Sequence, residues 1–490
     1  MAKFLTLTLL FIMLSSIFAA ENALTARPLP PAQDEAFFGS RMQRTMTLLK
    51  TSNKKLRQTV KILFYGQSII AGMDWKKLIV ELQRRYPDAN IVAENRAIGG
   101  FTAPKLIRTA AHDLYSYYPD LVIFHVYTAY SGHLERIIYN IRKYTTAEIM
   151  LCTHQVASEA DSAKRSENDD IASDMIRYIA QKYNCELVEV RNEWKNYLTT
   201  YKLSEKELMG DKINPNVHPN KEGNALLSEI ILRHFRYNTF FPGGWFDMVR
   251  TYEVKRALED PVENDELAFS GTAWKTLDEG ALGTSSKDTL KLKFIGNRVD
   301  VIPTPFTGKL GTAKILVDGK APSKSPEMYA CTRPSPAYKE SVRPALRRVT
   351  LGKNPTAEKW TLTVKNISDD AKTFNYELCG SVTGKDGEGN NREKFISNSG
   401  RIIIDPKDFG IKTAQDYKKV KCPENFEVTW EVKPMFVDIW KPLPIKDASL
   451  ENAIPLFQGL ENREHTLEII PNDDGGVPVK SLVVYKPPLK

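Results

Sequence analysis

The chain has 490 residues, 42% hydrophobic and 26% charged, a globular balance that excludes disorder, collagen and coiled coil as the main architecture. At about 100–200 residues per domain, the length predicts about two to four domains with ample core. Lys and Arg number 68 against 60 Asp and Glu, and the excess of +8 comes with no long basic block, so no nucleic-acid partner is expected.

Residues 1–20 read as an export signal. Lys3 gives the positive flank, residues 4–18 the apolar stretch, and Ala19 and Ala20 the small residues for cleavage. That run is short of the roughly 20 residues of a spanning helix, and no other run is longer. The expectation is a secreted or periplasmic protein with no membrane span after signal removal. Residues 21–57 are expected to form a linker and a helix, with three prolines in 27–34 (RPLPPAQD) blocking a helix there.

Over 58–245, short β-branched or apolar runs alternate with helix-period segments. The runs are 60–65 (VKILFY), 90–95 (NIVAEN), 120–126 (DLVIFHV), 147–152 (AEIMLC) and 185–190 (CELVEV). Helices are predicted over 75–86, 103–117, 132–144 and 169–183, with a last one after Gly223. This alternation predicts an α/β fold, a flavodoxin-like doubly wound parallel sheet covered on both faces. Residues 264–490 change character. Short alternating runs separated by DGK, GKDGEGNN and PNDDGG predict an antiparallel all-β sandwich region. It forms one or two sandwiches, the second case splitting near 383–393 into lobes 264–385 and 393–490. Phe240, Phe241, Trp245 and Phe246 read as an interdomain clasp.

The five cysteines, Cys152, Cys185, Cys331, Cys379 and Cys422, fit no zinc spacing. Cys152 and Cys185 lie on apolar strand patterns and read as buried filler. Export permits a disulfide, expected between two of Cys331, Cys379 and Cys422.

Three motifs carry chemistry. YGQSI (65–69) puts Ser68 at the carboxyl end of the first strand, the edge where open α/β sheets bind ligands. The plain structural reading is a helix cap, and for this motif alone it is favoured. NRAIGGFTA (95–103) sets Gly99 and Gly100 after the second strand, where bare backbone N–H groups can hold an oxyanion. Alone, this reads as a loop needing positive φ. VHPNKEG (217–223) places His218 in a polar turn before the last helix, suited to a general base toward Ser68. His125 and His154 end strands at the same edge and are candidates to line a pocket. His112, His133, His234 and His465 read as surface or packing residues.

Together and in this order, the motifs resemble the SGNH, or GDSL-like, hydrolase superfamily over roughly residues 58–238. The sheet followed by a β region resembles its secreted carbohydrate esterases. The resemblance implies Ser68 as nucleophile, His218 as base, and the N–H groups of Ser68 and Gly100 or Gly99 as the oxyanion hole. It also implies no metal or organic cofactor. Three positions depart from the pattern. Gln67 replaces the usual Asp. The stretch after DLVIF reads HVYTAYSGH and lacks the expected Asn, leaving Tyr127, Thr128 or His125 to substitute. Pro215 stands where the acid belongs, three residues before His218, and Asp211 lies seven before. Either Asp211 orients the imidazole, or a backbone carbonyl does so in a Ser–His dyad.

Gln67, Trp75, Tyr127 and His125 are the substrate-contact candidates, and for Trp75 helix core or first-turn packing is the favoured reading. The expected activity is hydrolysis of acyl groups, O-acetyl foremost, on a polysaccharide or oligosaccharide. The rivals are a non-catalytic glycan-binding protein on the same shell and a carbohydrate O-acyltransferase.

Overall fold

The computed structural model describes residues 24–158, 162–210, 216–238, 248–260, 266–272 and 274–490. The expected export signal and aromatic clasp lie outside these residues. The N-terminal region is built on five parallel strands: β1 (Thr59–Gly66), β2 (Asn90–Asn95), β3 (Leu121–His125), β4 (Glu148–Cys152) and β5 (Glu186–Val188), in the order β2-β1-β3-β4-β5. Every residue of β3 and β4 is buried, because both faces of a central parallel strand are covered; that is why they read as unbroken apolar runs.

Helices cover both faces. One core joins Val60, Ile62 and Phe64 of β1 to the helices α1 (Gln43–Thr51), α2 (Ser68–Gly72), α3 (Trp75–Arg85), α7 (Val190–Tyr201) and α8 (Lys221–Leu232). The opposite core joins Leu63 and Tyr65 to α4 (Ala103–Ala110), α5 (His133–Tyr144) and α6 (Ser162–Lys182). The alternation along β1 thus feeds two separate cores. This is the flavodoxin-like doubly wound sheet expected.

Some local boundaries differ. The stretch read as strand to residue 190 ends at Val188 and gives way to α7. α8 starts at Lys221, before Gly223, because the Asn220 side chain accepts the Gly223 N–H and caps the helix.

The all-β region corrects the expected boundaries. It starts before 264: Val249–Glu253 is already a strand, paired with Ser481–Tyr485 near the other end of the chain. The stretch expected to break the region into separate lobes is itself strand Gly384–Asn390, paired with Asn375–Gly380. The lobes are nested. One sheet joins 249–253, 289–302, 313–317, 439–440, 454–471 and 481–485, and the segment between Val317 and Ile439 folds as a second five-stranded sheet with its own core. The expected disulfide is absent, since all five cysteines are free. Cys331 and Cys422 are buried while Cys379 is exposed. Cys152 and Cys185 are buried, as expected.

The inserted lobe packs against the α/β region through His112, which is buried between them. Its Nδ1 faces the Cys331 carbonyl at 3.2 Å, and its Nε2 accepts the Val349 N–H at 3.1 Å. Both ring nitrogens are thereby committed, and burial pulls the imidazole from 6.5 to about 4. Above 6.5 the ring is neutral folded or unfolded. Between 6.5 and about 4 only the unfolded chain takes the proton, so stability falls as pH falls. Urea titrations should show an acid loss across that window that is smaller in His112→Gln than in wild type by on the order of 3 kcal/mol, the share of the other buried histidines remaining in both.

Candidate active site

β1 lies between β2 and β3, so the crevice outside the carboxyl ends of β1 and β3 is the switch point of the sheet. Gly66 ends β1 there, in register with His125 at the end of β3. Its φ is +145°, and a Cβ would lie 2.1 Å from the His125 carbonyl oxygen. Gly66 is therefore required by close strand approach as well as by the turn. Gln67 is extended and buried, and Ser68 opens α2 half-buried. As the first residue of that helix, Ser68 has a backbone N–H with no helical partner.

The glycine turn hangs on the same strand end. The Ile98 N–H donates to the Gly66 carbonyl at 2.9 Å, and the Phe101 N–H closes a turn on the Ile98 carbonyl at 3.1 Å. Gly100 takes φ +77°, the left-handed conformation that glycine tolerates at this turn position. Gly99 is the glycine whose open side meets the serine: a Cβ on it would lie 3.9 Å from the Ser68 Cβ. The open side of Gly100 faces the Arg343 guanidinium instead, with Nη2 at 3.1 Å from its Cβ position. The Arg343 Nε–H donates to the Gly99 carbonyl at 2.9 Å. Arg343 comes from the inserted lobe, and no spacing near the motifs signals it.

His218 sits half-buried on a segment tied to the same edge. The Gln155 Nε2–H donates to the Val217 carbonyl at 3.0 Å and to the Tyr127 hydroxyl at 2.8 Å. The Gly210 N–H donates to the His218 carbonyl at 3.0 Å, and Asn220 binds the Glu207 and Met209 carbonyls. Gln155 follows β4, so the segment is stitched to the carboxyl ends of β3 and β4. Arg191, almost wholly buried, donates in turn to the Gln155 carbonyl at 3.2 Å. Asp211 and Pro215 lie outside the described residues.

Two substrate-contact candidates are corrected. His125 is only 2% exposed, and its Nε2 lies 2.9 Å from the His154 Nδ1. The remaining nitrogens, His125 Nδ1 and His154 Nε2, have no hydrogen-bond partner. Burial holds His125 at about 3 and His154 well below its usual value, so both are neutral core residues. Trp75 is half-buried and turned onto the core, its ring 5.7 Å from that of Phe64. Tyr127, half-buried, packs its ring against the two histidines at 5.2 and 4.4 Å. Its hydroxyl helps hold the His218 segment. Beside it, Thr128 adopts φ +65°, a costly conformation for a β-branched residue. Among the described residues, no group of three His, Cys, Asp or Glu is placed to hold a metal.

No family model matches the chain, and no curated protein sequence does. Among solved structures it is similar to Axe2, an acetylxylan esterase from Geobacillus stearothermophilus. The identity is 19% over 38% of this chain and 97% of that one, with a TM-score of 0.33. LAE5, an alpha/beta hydrolase enzyme from the metagenome of Lake Arreo, Spain, gives 18% over 38% of this chain and 100% of that one, at 0.32.

The switch-point geometry is testable through its glycines. Gly66→Ala should destabilise by more than about 2 kcal/mol, because backbone must move to admit the methyl. Gly72→Ala, with nothing within 4 Å of its Cβ position, should be neutral or mildly stabilising in the same denaturant melts.

Proposed function

We propose that this chain is a secreted serine esterase that removes acyl groups, O-acetyl foremost, from carbohydrate. The observation that carries the reading is Ser68 opening a helix at the switch point with the bare side of Gly99 turned onto it. The Ser68 N–H opens a helix with no helical partner, the glycine turn lies beside that helix start, and an imidazole stands on a segment bound to the same edge. Those are the components acyl transfer needs: a nucleophile, a base and donors for a developing oxyanion.

In this reading His218 takes the Ser68 proton as Oγ attacks the ester carbonyl. The carbonyl oxygen gains the negative charge and is held by the N–H of Ser68 and those of the glycine turn. The tetrahedral intermediate collapses, the C–O bond to the sugar breaks, and His218 gives its proton to the departing sugar oxygen. Water then attacks the acyl-serine, with His218 again taking the proton, and the free acid leaves. Asp211 or a backbone carbonyl holds the imidazole tautomer. The carbohydrate assignment follows the resemblance of the layout, a parallel sheet followed by a β region, to secreted carbohydrate esterases of the SGNH superfamily, together with the expected export.

A second reading, glycan binding without catalysis, is favoured by one observation. A cleft of about 640 Å³ between the α/β region and the β region is lined by Tyr115, Tyr144, Tyr329, Asn140 and Gln458. Tyrosine rings beside amides suit sugar faces and hydroxyls.

Hydrolysis of p-nitrophenyl acetate separates the two. The esterase reading expects Ser68→Ala and His218→Ala each to lose about 10⁴-fold in kcat. It also expects a phosphonate ester to label wild type at Ser68 and leave Ser68→Ala unlabelled. Equal rates for wild type and Ser68→Ala would overturn it.

A further inference from the structure

The turn that faces Ser68 is surrounded by cations. Phe101 closes that turn, and two positive groups approach its ring: Lys105 Nζ at 5.7 Å and the Arg347 guanidinium at 6.0 Å from the centroid. Arg343 completes the group through its contact with Gly99 and its stack on Tyr417 at 4.0 Å. Lys105 rides on α4, while Arg343 and Arg347 arrive from the inserted lobe, so the group exists only in the assembled chain.

The neighbouring carboxylates are already taken. Glu340 is held by Arg343 at 3.2 Å and by Lys418 at 3.8 Å. Asp408 is bound by Arg108, which also approaches Asp405 at 3.8 Å. Lys105 has no carboxylate partner among the described residues. It is half-buried, and burial together with Arg347 and Arg343 holds its pKa below the usual lysine value. The buried Nε–H of Arg347 has no acceptor, although its Nη1 donates to the Lys407 carbonyl at 3.1 Å. Lys105 thus stands among cations with no carboxylate of its own, and such arrangements collect where a ligand brings the opposite sign.

We infer that Lys105, Arg343 and Arg347 form a subsite for an anionic group of the substrate, so that the acylated sugar chain carries carboxylate or sulfate close to its ester. The inference rests on the esterase reading of the same site and adds the charge class of the substrate. Uronate and sulfate share the chemistry that these residues recognise, planar or tetrahedral oxyanions meeting guanidinium and ammonium donors.

The test separates binding from turnover. In the full-length Ser68→Ala protein, calorimetry would compare three acetylated oligosaccharides of equal length: a neutral xylo-oligosaccharide, an oligogalacturonide and a sulfated xylo-oligosaccharide. At least one anionic ligand should bind about tenfold or more tightly than the neutral one, with affinity falling as salt rises. Lys105→Gln, and independently Arg347→Gln, should erase that preference while melting as a folded protein. Which anionic arm responds identifies uronate or sulfate. Equal binding of all three ligands, no anionic binding, or a preference that survives in folded Lys105→Gln would each overturn the inference. The esterase reading stands or falls separately, on loss of p-nitrophenyl acetate hydrolysis in Ser68→Ala.

Discussion

The carbonyl oxygen of His125 stands where a side chain on Gly66 would have to be. This contact fixes how closely β1 and β3 approach at the switch point, and the candidate site is arranged around it. Because β1 stops there, the chain turns through Gln67 and enters a helix at Ser68. The freed Gly66 carbonyl accepts the Ile98 N–H, which hangs the glycine turn on the same strand end. One close approach of backbones thus sets the glycine turn beside the start of the helix that carries Ser68.

Around this strand end, polar groups are committed in layers. Arg191 binds the Gln155 carbonyl, and Gln155 binds Tyr127 and the backbone beside His218. The neutral His125–His154 pair fills the space beneath Tyr127. The inserted lobe adds an outer layer through the Arg333–Asp113 pair at 2.7 Å, the His112 contacts and Arg343 on the glycine turn. Asp113 is nearly inaccessible, and a buried carboxylate of this kind depends on its partner. The β region is therefore joined to the α/β framework by buried polar contacts, and it contributes directly to the edge of the site.

Much of this was legible in the sequence where the signal is local. Strands buried on both faces announce themselves as apolar runs, and the first two motifs follow β1 and β2, where the structure sets Gly99 beside Ser68. Side-chain direction at a strand's last residue is not local information. His125 read as a pocket residue because it ends β3, yet it points into the core toward His154. Trp75, at the start of a helix, packs onto Phe64 as its favoured reading had it. The nesting of the β lobes was hidden for a similar reason: the pairing Leu290↔Ile469 spans most of the region, and no short window records it. The strand Gly384–Asn390 read as a break because its glycines and charges look like a turn. Nothing in the spacing of a loop near residue 343 shows that its arginine reaches a turn at residue 99.

That last contact also acts on the glycine peptide itself. The Gly99 carbonyl that accepts the Arg343 N–H belongs to the same peptide group as the Gly100 N–H. A charged donor on the oxygen draws electron density from the amide nitrogen and makes its hydrogen a stronger donor. It also holds the peptide plane in one orientation, which the oxyanion role proposed for that N–H requires. Thr128, in the loop after β3, is held in a strained conformation, and its hydroxyl donates to the Tyr127 carbonyl. The chain thus places its extra positive charge behind the glycine peptide, from the neighbouring lobe, and leaves the loop after β3 to shape the edge.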